Sequence, residues 1–157
     1  MDVQNGYENS LNDYVNKEKI AVDLINSIGS LMYEKGIELV LFRQHLVNIN
    51  ISELMNCFDY AKEVVNKPLD ISLVNDLVKE IYKMDLAPSK LDIGKLTFEY
   101  TEQKNSYNSI SEFLNNTLID FIGQDKHTFS PQDVILYGFG RIGRIAAREL
   151  IKAAGKG

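Results

Sequence analysis

The sequence predicts a mainly α-helical region over residues 1–130, followed by one β-α unit over residues 131–157. Three observations predict this fold. Apolar residues recur at spacings of three and four in several segments before residue 123, which is the helical period. A short apolar run rich in β-branched residues then follows "GQDKHTFSPQD", residues 123–133, whose composition is typical of a linker and marks the domain boundary. Three glycines join that run to a last helical segment.

Four helices are predicted in the first region. The first carries an apolar stripe at helical spacing, and the second begins after Ser52, a favourable N-cap residue. The third lies between Pro68 and Pro88. The fourth opens at Ser109, where Glu112 three residues later forms a capping box, and Gly123 ends it. The four stripes are Ala21, Leu24, Ile25, Ile28, Leu31, Met32; Leu54, Phe58, Ala61, Val65; Leu73, Val74, Leu77, Val78, Ile81, Met84; and Ile110, Phe113, Leu114, Leu118, Phe121, Ile122.

Two segments fit either a strand or a helix. Residues 36–42, "GIELVLF", and 95–100, "KLTFEY", combine apolar runs and alternation with flanking helical signals, so periodicity alone leaves both open. The four helical stripes are typical of a shared core rather than of a cofactor pocket or a membrane face.

Composition excludes several function classes. The chain has 157 residues, of which 45% are hydrophobic and 25% charged, as in soluble globular proteins. No run approaches the ~18 apolar residues that cross a bilayer, and the polar start "MDVQNGYENS" lacks the features of a secretory signal. We therefore expect a cytoplasmic protein without a membrane partner. The net charge of −5 argues against a general nucleic-acid binder.

The few cysteine and histidine residues predict neither a metal site nor a catalytic residue. The single cysteine, Cys57, has no partner for an intrachain disulfide, and its neighbours Asn56 and Phe58 supply no base. We expect it to be a small core residue. His45 and His127 are the only histidines and are expected at the surface, so a dedicated zinc site is not predicted.

The sequence "VILYGFGRIGRIAAREL", residues 134–150, has the order strand, glycine turn and helix. Val134–Tyr137 is the expected strand, and the glycines follow at GxGxxG spacing. In a dinucleotide-binding turn Gly138 permits the sharp bend, Gly140 lets a pyrophosphate approach the backbone, and Gly143 lets the helix lie close to the strand. An incidental flexible turn is the alternative.

Charge supports an anionic ligand at this turn. Residues 141–157 hold five basic residues against one acidic residue. Arg141 and Arg144 fall in the first turn of the expected helix. The positive end of the helix dipole disfavours each cation there by about 0.3 kcal/mol. A phosphate bound by the free N–H groups offsets this repulsion.

The acidic residue that completes a dinucleotide site is not found at its usual distance from the glycine motif. An acidic residue that binds the ribose follows about 20 residues after such a motif, at the end of a second strand, whereas 14 residues follow Gly143. We therefore expect the chain to be the front portion of a longer protein. The choice between NAD and NADP stays open on these residues.

The segment "YGFGRIGR", residues 137–144, resembles the glycine signature that opens the NAD-binding domain of glyceraldehyde-3-phosphate dehydrogenase. The region before it, with "IELVLFRQ" and "KLDIGKLTFEY", resembles the helical N-terminal extension of a longer bacterial form of that enzyme. The resemblance implies a Rossmann domain, NAD as cofactor and a homo-oligomeric parent protein. It implies that Arg141 and Ile142 bind the pyrophosphate through backbone N–H groups, while Gly138, Phe139, Gly140 and Gly143 shape the turn.

The resemblance also implies what this chain does not contain. The family oxidises and phosphorylates an aldehyde through a cysteine thioester, and its nucleophile and histidine base lie after the glycine motif. Cys57 precedes the motif, so no catalytic residue is assigned and the chain by itself is expected to be inactive. The alternative hypothesis is a self-contained helical interaction or regulatory module.

Overall fold

A computed structural model describes residues 2–123 and 133–153. The chain divides into two compact units, Met1–His127 and Thr128–Gly157. The first unit contains the helices α1 (Asp2–Lys35), α2 (Ile51–Val65), α3 (Ile71–Lys83), α4 (Ile93–Glu102) and α5 (Ile110–Thr117), and the strands β1 (Ile37–Leu41), β2 (Gln44–His45) and β3 (Ser89–Asp92). The second unit contains α6 (Arg141–Ala153). The predicted mainly helical fold class is confirmed.

The core of the first unit forms where α1 packs on α3 and on the sheet. The core-facing residues of α1 follow the predicted stripe, with Ala21, Leu24, Ile28 and Leu31 buried. They meet Val74, Leu77, Val78 and Ile81 of α3, which are also buried. Since burial of a Leu, Ile or Val side chain contributes about 1.5–3 kcal/mol, this contact stabilises the unit.

The first ambiguous segment, 36–42, forms the central strand of a small sheet. The strand order is β2-β1-β3, in which β1 pairs antiparallel with β2 and parallel with β3. Four of the five residues of β1 are buried, as expected for a strand covered on both faces. The parallel pairing requires a long crossover, and α2 and α3 supply it.

The second ambiguous segment, 95–100, is helical and lies within α4. Asp92 caps this helix by accepting a hydrogen bond from the Lys95 N–H at 3.1 Å. Ile93, Leu96 and Tyr100 are buried on one face at helical spacing. Thr97 is buried in this helix as well, and its hydroxyl donates to the carbonyl of Ile93 at 2.7 Å.

The predicted start of the second helix was wrong by two residues. Asn50, not Ser52, is the N-cap of α2, and it forms a capping box with Glu53 in which both hydrogen bonds are 2.9 Å long. Ser52 lies inside the first turn. The third helix occupies the predicted interval between the two prolines, with Asp70 as its N-cap.

The predicted fourth helix is shorter than expected. Ser109 caps α5 as predicted and accepts from the Glu112 N–H at 3.1 Å, but the Glu112 carboxylate accepts from Asn108 rather than closing a box on Ser109. The helix ends at Thr117, and a 3₁₀ turn, Ile119–Phe121, leads to Gly123, which has a φ of 68°. The chain bends here because Ile122 forms a β-bridge with Leu86.

Candidate dinucleotide-binding turn

The glycine motif of the second unit leads directly into α6. Gly138 has a φ of 99°, a conformation that a residue with a side chain rarely adopts. Gly140 is the last residue before the helix, and its carbonyl accepts from the Arg144 N–H at 3.0 Å. The helix therefore begins at Arg141, as a phosphate-binding turn requires.

Gly143 is the point of closest approach between the helix and the turn. A Cβ atom at Gly143 would lie 2.3 Å from the carbonyl oxygen of Gly138 and 3.2 Å from its carbon. Both contacts are with backbone, which cannot rotate away as a side chain can. Only glycine fits here without moving α6, in agreement with the packing role that its position in the motif predicts.

Gly140 differs from Gly143 because a side chain added at Gly140 would point into open space. A Cβ atom built at Gly140 meets no heavy atom within 4 Å. The glycine is therefore not needed to fold the turn. Free space above bare backbone is what a pyrophosphate occupies in a dinucleotide-binding turn, so the turn fits such a group.

The first turn of α6 adds hydrogen-bond donors to this space. The first amide groups of a helix have no hydrogen-bond partner inside it. Here the N–H groups of Arg141, Ile142 and Gly143 are therefore free to donate to a bound group. Arg141 and Arg144 are exposed, and the Nε of Arg144 reaches the Gly140 carbonyl at 3.4 Å. These groups can hold a phosphate. The predicted site residues did not include Arg144, although its spacing of four from Gly140 pointed to it.

The expected strand before the turn is not formed. Residues 134–137 have neither helix nor strand in the described structure, and Ile135 is 89% exposed. A strand needs a neighbour to satisfy its N–H and C=O groups, and the described residues place none beside it. Phe139 and Ile142 of the turn are also exposed.

The structure describes the surroundings of Cys57 and His45, two residues of the first unit that were assigned no catalytic role from the sequence. Cys57 is half-buried and packs against the core, and burial together with the nearby Glu53 raises the pKa of its thiol, the opposite of what a nucleophile needs. His45 is exposed, with Nδ1 2.7 Å from a carboxylate oxygen of Glu38. His127 and most of the predicted boundary, 123–133, lie outside the described residues.

Within 2–123 and 133–153, no three His, Cys, Asp or Glu side chains lie close enough together to bind a metal ion. No helix in these ranges has the length and apolarity needed to span a membrane.

Comparison with known proteins finds a relative by sequence. The chain is similar to a glyceraldehyde-3-phosphate dehydrogenase-like protein. That protein is from Pseudomonas aeruginosa (strain UCBPP-PA14), and the two sequences are 28% identical over 137 residues. The match covers 85% of this chain and 30% of the relative, so the chain spans less than a third of the relative's length. No protein-family model matches the chain.

The length of the match shows which parts are similar. Residues 131–157 are too few to hold 137 aligned positions, so the similarity extends through most of the helical region as well. The helical region is therefore similar to that protein in its own right.

Proposed function

We propose that residues 134–153 form the pyrophosphate-binding opening of an NAD-binding domain in a protein related to glyceraldehyde-3-phosphate dehydrogenase. In this proposal residues 1–130 are a helical extension that precedes the cofactor domain. The main support for the proposal is the contrast between two glycines. Gly143 is required by close packing, whereas a Cβ atom at Gly140 would meet no atom within 4 Å. A merely flexible turn has no need for either.

Each residue of the turn has a separate role. Gly138 bends the chain, Gly143 brings α6 against the bend, and Gly140 leaves room for the pyrophosphate. The amides of Arg141 and Ile142 donate to its oxygens, and the two exposed arginines lower the electrostatic cost of binding them. NAD, when bound, accepts a hydride in the dehydrogenase reaction. We assign no catalytic role to any described residue of this chain; the nucleophile and base of the proposed enzyme are those that the family resemblance places after the glycine motif.

The relative supports the dehydrogenase assignment by its name, and the motif "GFGRIGR" supports NAD by resemblance. The residues themselves do not separate NAD from NADP, since the turn contacts only the pyrophosphate that both share. Titration of the complete protein with each dinucleotide decides between them.

The sharpest test replaces Gly140 by alanine in the complete protein that contains this chain. Because the Cβ meets nothing within 4 Å, we expect an unchanged melting temperature but NAD affinity weaker by about tenfold or more, which is about 1.4 kcal/mol. Calorimetric titration measures this change. Gly29→Ala is the matched control, since its Cβ also meets nothing within 4 Å and it lies in α1.

Two outcomes would overturn the proposal. The first is a Gly140→Ala variant that binds NAD as tightly as the wild type. The second is a complete protein that binds neither dinucleotide. Gly143→Ala provides a contrast, because its Cβ collides with the Gly138 carbonyl and is expected to disturb α6 even without ligand.

A second candidate function is a helical interaction or regulatory module. The observation that favours it is that the first unit has a core of its own. All buried apolar side chains of the described residues lie between Ala21 and Leu118, within the unit Met1–His127. This hypothesis predicts that NAD leaves the thermal melt of the complete protein unchanged and that residues 1–127 capture a partner by themselves. An NAD-dependent shift that Gly140→Ala abolishes would favour the dehydrogenase instead.

A further inference from the structure

Arg144 lies one helical turn after Gly140, and its side chain returns to that glycine. The Nε of Arg144 contacts the Gly140 carbonyl oxygen at 3.4 Å. Side chains on a helix lean toward the residue four positions earlier. For Arg144 that residue is Gly140, at which an added Cβ atom would meet no heavy atom within 4 Å. The fold therefore places the guanidinium beside the residue that leaves the turn open.

The contact between Arg144 and the Gly140 carbonyl is easily given up. At 3.4 Å it is longer than the usual ~2.9–3.0 Å of an N–H···O hydrogen bond. The same carbonyl also accepts from the backbone N–H of Arg144 at 3.0 Å, a hydrogen bond that belongs to the start of α6. When the guanidinium turns away, the carbonyl keeps this partner, so the movement leaves no backbone acceptor unpaired.

No carboxylate close in sequence competes for Arg144. Residues 134–148 contain neither Asp nor Glu. The next acidic residue, Glu149, pairs with Lys152 at 2.8 Å. Arg144 is exposed and lies in the first turn of α6, where its charge and the end of the helix dipole have the same sign. An anion that reaches the turn is attracted by the guanidinium, the dipole and the free amide groups together.

We infer that the guanidinium of Arg144 is a direct ligand of the pyrophosphate, which it binds by turning from the Gly140 carbonyl to the phosphate oxygens. This inference rests on the proposed function and adds a side-chain ligand to the backbone donors of Arg141 and Ile142. A guanidinium donates to two phosphate oxygens at once with a fixed fork, which a lysine ammonium does not have. Arg144 therefore fixes the position of the pyrophosphate as well as attracting it.

Arg148 separates direct contact from general attraction. It is exposed like Arg144 and carries the same charge, but it lies about 6 Å further from the glycine turn along the helix axis. Its side chain leans toward Arg144 rather than toward Gly140. A long-range effect of charge acts from both positions, whereas a direct ligand acts from Arg144 alone.

Calorimetric titration of the complete protein with NAD tests the inference. Arg144→Gln should weaken binding by about tenfold or more, because a charge-assisted hydrogen bond is lost. The matched control, Arg148→Gln, should stay within about twofold of the wild type. Arg144→Lys keeps the charge but not the fork, and should remain weaker than the wild type by about threefold or more. ADP-ribose, which contains the pyrophosphate without the nicotinamide, should show the same losses.

Thermal melts without ligand should be unchanged in all three variants, and a lower melting temperature of Arg144→Gln would assign the residue a structural role instead. Wild-type affinity of Arg144→Gln or of Arg144→Lys, or equal losses at Arg144 and Arg148, would each overturn the inference. Gly140→Ala separates these results from a failure of the proposed function. If Gly140→Ala weakens NAD binding and Arg144→Gln does not, the turn binds the pyrophosphate without this side chain. A complete protein that binds neither dinucleotide overturns both.

Discussion

Gly94 shows how a single missing side chain fixes the position of a helix. It is buried in α4, and a Cβ atom there would lie 2.8 Å from two ring atoms of Phe42 and 3.0 Å from Cδ1 of Leu41. The backbone that carries the Phe42 ring is held in place, because it has a φ of 45° and its N–H donates to Asp92 at 3.0 Å. The helix and the β1-β2 turn are thus held together by one close contact.

Gly94→Ala should therefore destabilise the fold, although alanine is the better helix former. We expect a net loss of about 1–3 kcal/mol in the free energy of unfolding, measured by urea denaturation, because overpacking exceeds the gain in helix propensity. Gly29→Ala, with no atom within 4 Å, should gain about 0.5–1 kcal/mol. If both substitutions stabilise the protein, the Phe42 contact is not the constraint described.

At the scale of elements, the start of α2 distinguishes Asn50, which caps the helix, from Ser52, which the sequence favoured as the cap. Asn50→Ala removes the side-chain acceptor for the Glu53 N–H, at 2.9 Å, and should cost about 1 kcal/mol. Ser52→Ala changes an exposed residue inside the first turn and should stay within about 0.5 kcal/mol of the wild type. Urea midpoints measure both, and equal losses would contradict the observed cap.

The same elements show what a local pattern can and cannot predict. The helix α3 was predictable because its apolar stripe has one period and lies between prolines. Residues 36–42 and 95–100 were not, because the fate of a short apolar run depends on its neighbours. Pairing with two strands makes the first a strand, and the Asp92 cap makes the second a helix.

The sheet predicts a pH dependence centred on Glu38. Burial acts to raise the pKa of this carboxyl, but hydrogen bonds and charges from His45 and Lys90 outweigh it and hold the pKa below the ordinary 4.5. Its stabilising effect is therefore complete above about pH 4.5 and is lost as the pH falls through the lower folded-state value. These contacts join all three strands, since Glu38, His45 and Lys90 belong to β1, β2 and β3 respectively.

Glu38→Gln should reduce stability at neutral pH and flatten its decline in acid. Urea denaturation at a series of pH values from about 7 to about 3 measures both effects. Glu102→Gln is the control, because the Glu102 carboxylate pairs with Lys67 at a more exposed site and should matter little. A Glu38→Gln profile parallel to that of the wild type would contradict the assignment.

At the scale of the whole molecule, the two units show different limits of prediction. The glycine spacing predicted the geometry of the turn, because the positive φ of Gly138 and the close approach at Gly143 are set locally. Residues 134–137 have the composition of a buried parallel strand, yet they do not form one. Composition indicates what a segment can bury, whereas a strand exists only where another strand pairs with it.

This difference predicts how the chain unfolds. In the described residues, the last buried apolar side chain is Leu118, and every buried core residue lies in the unit Met1–His127. A chain of residues 1–127 should therefore unfold in one cooperative transition at the same temperature as the 157-residue chain, and lose only the helical signal of α6. Calorimetry and circular dichroism measure this. A shift larger than about 4 °C corresponds to roughly 1 kcal/mol for a domain of this size. Such a shift would show that residues after 127 stabilise the helical core.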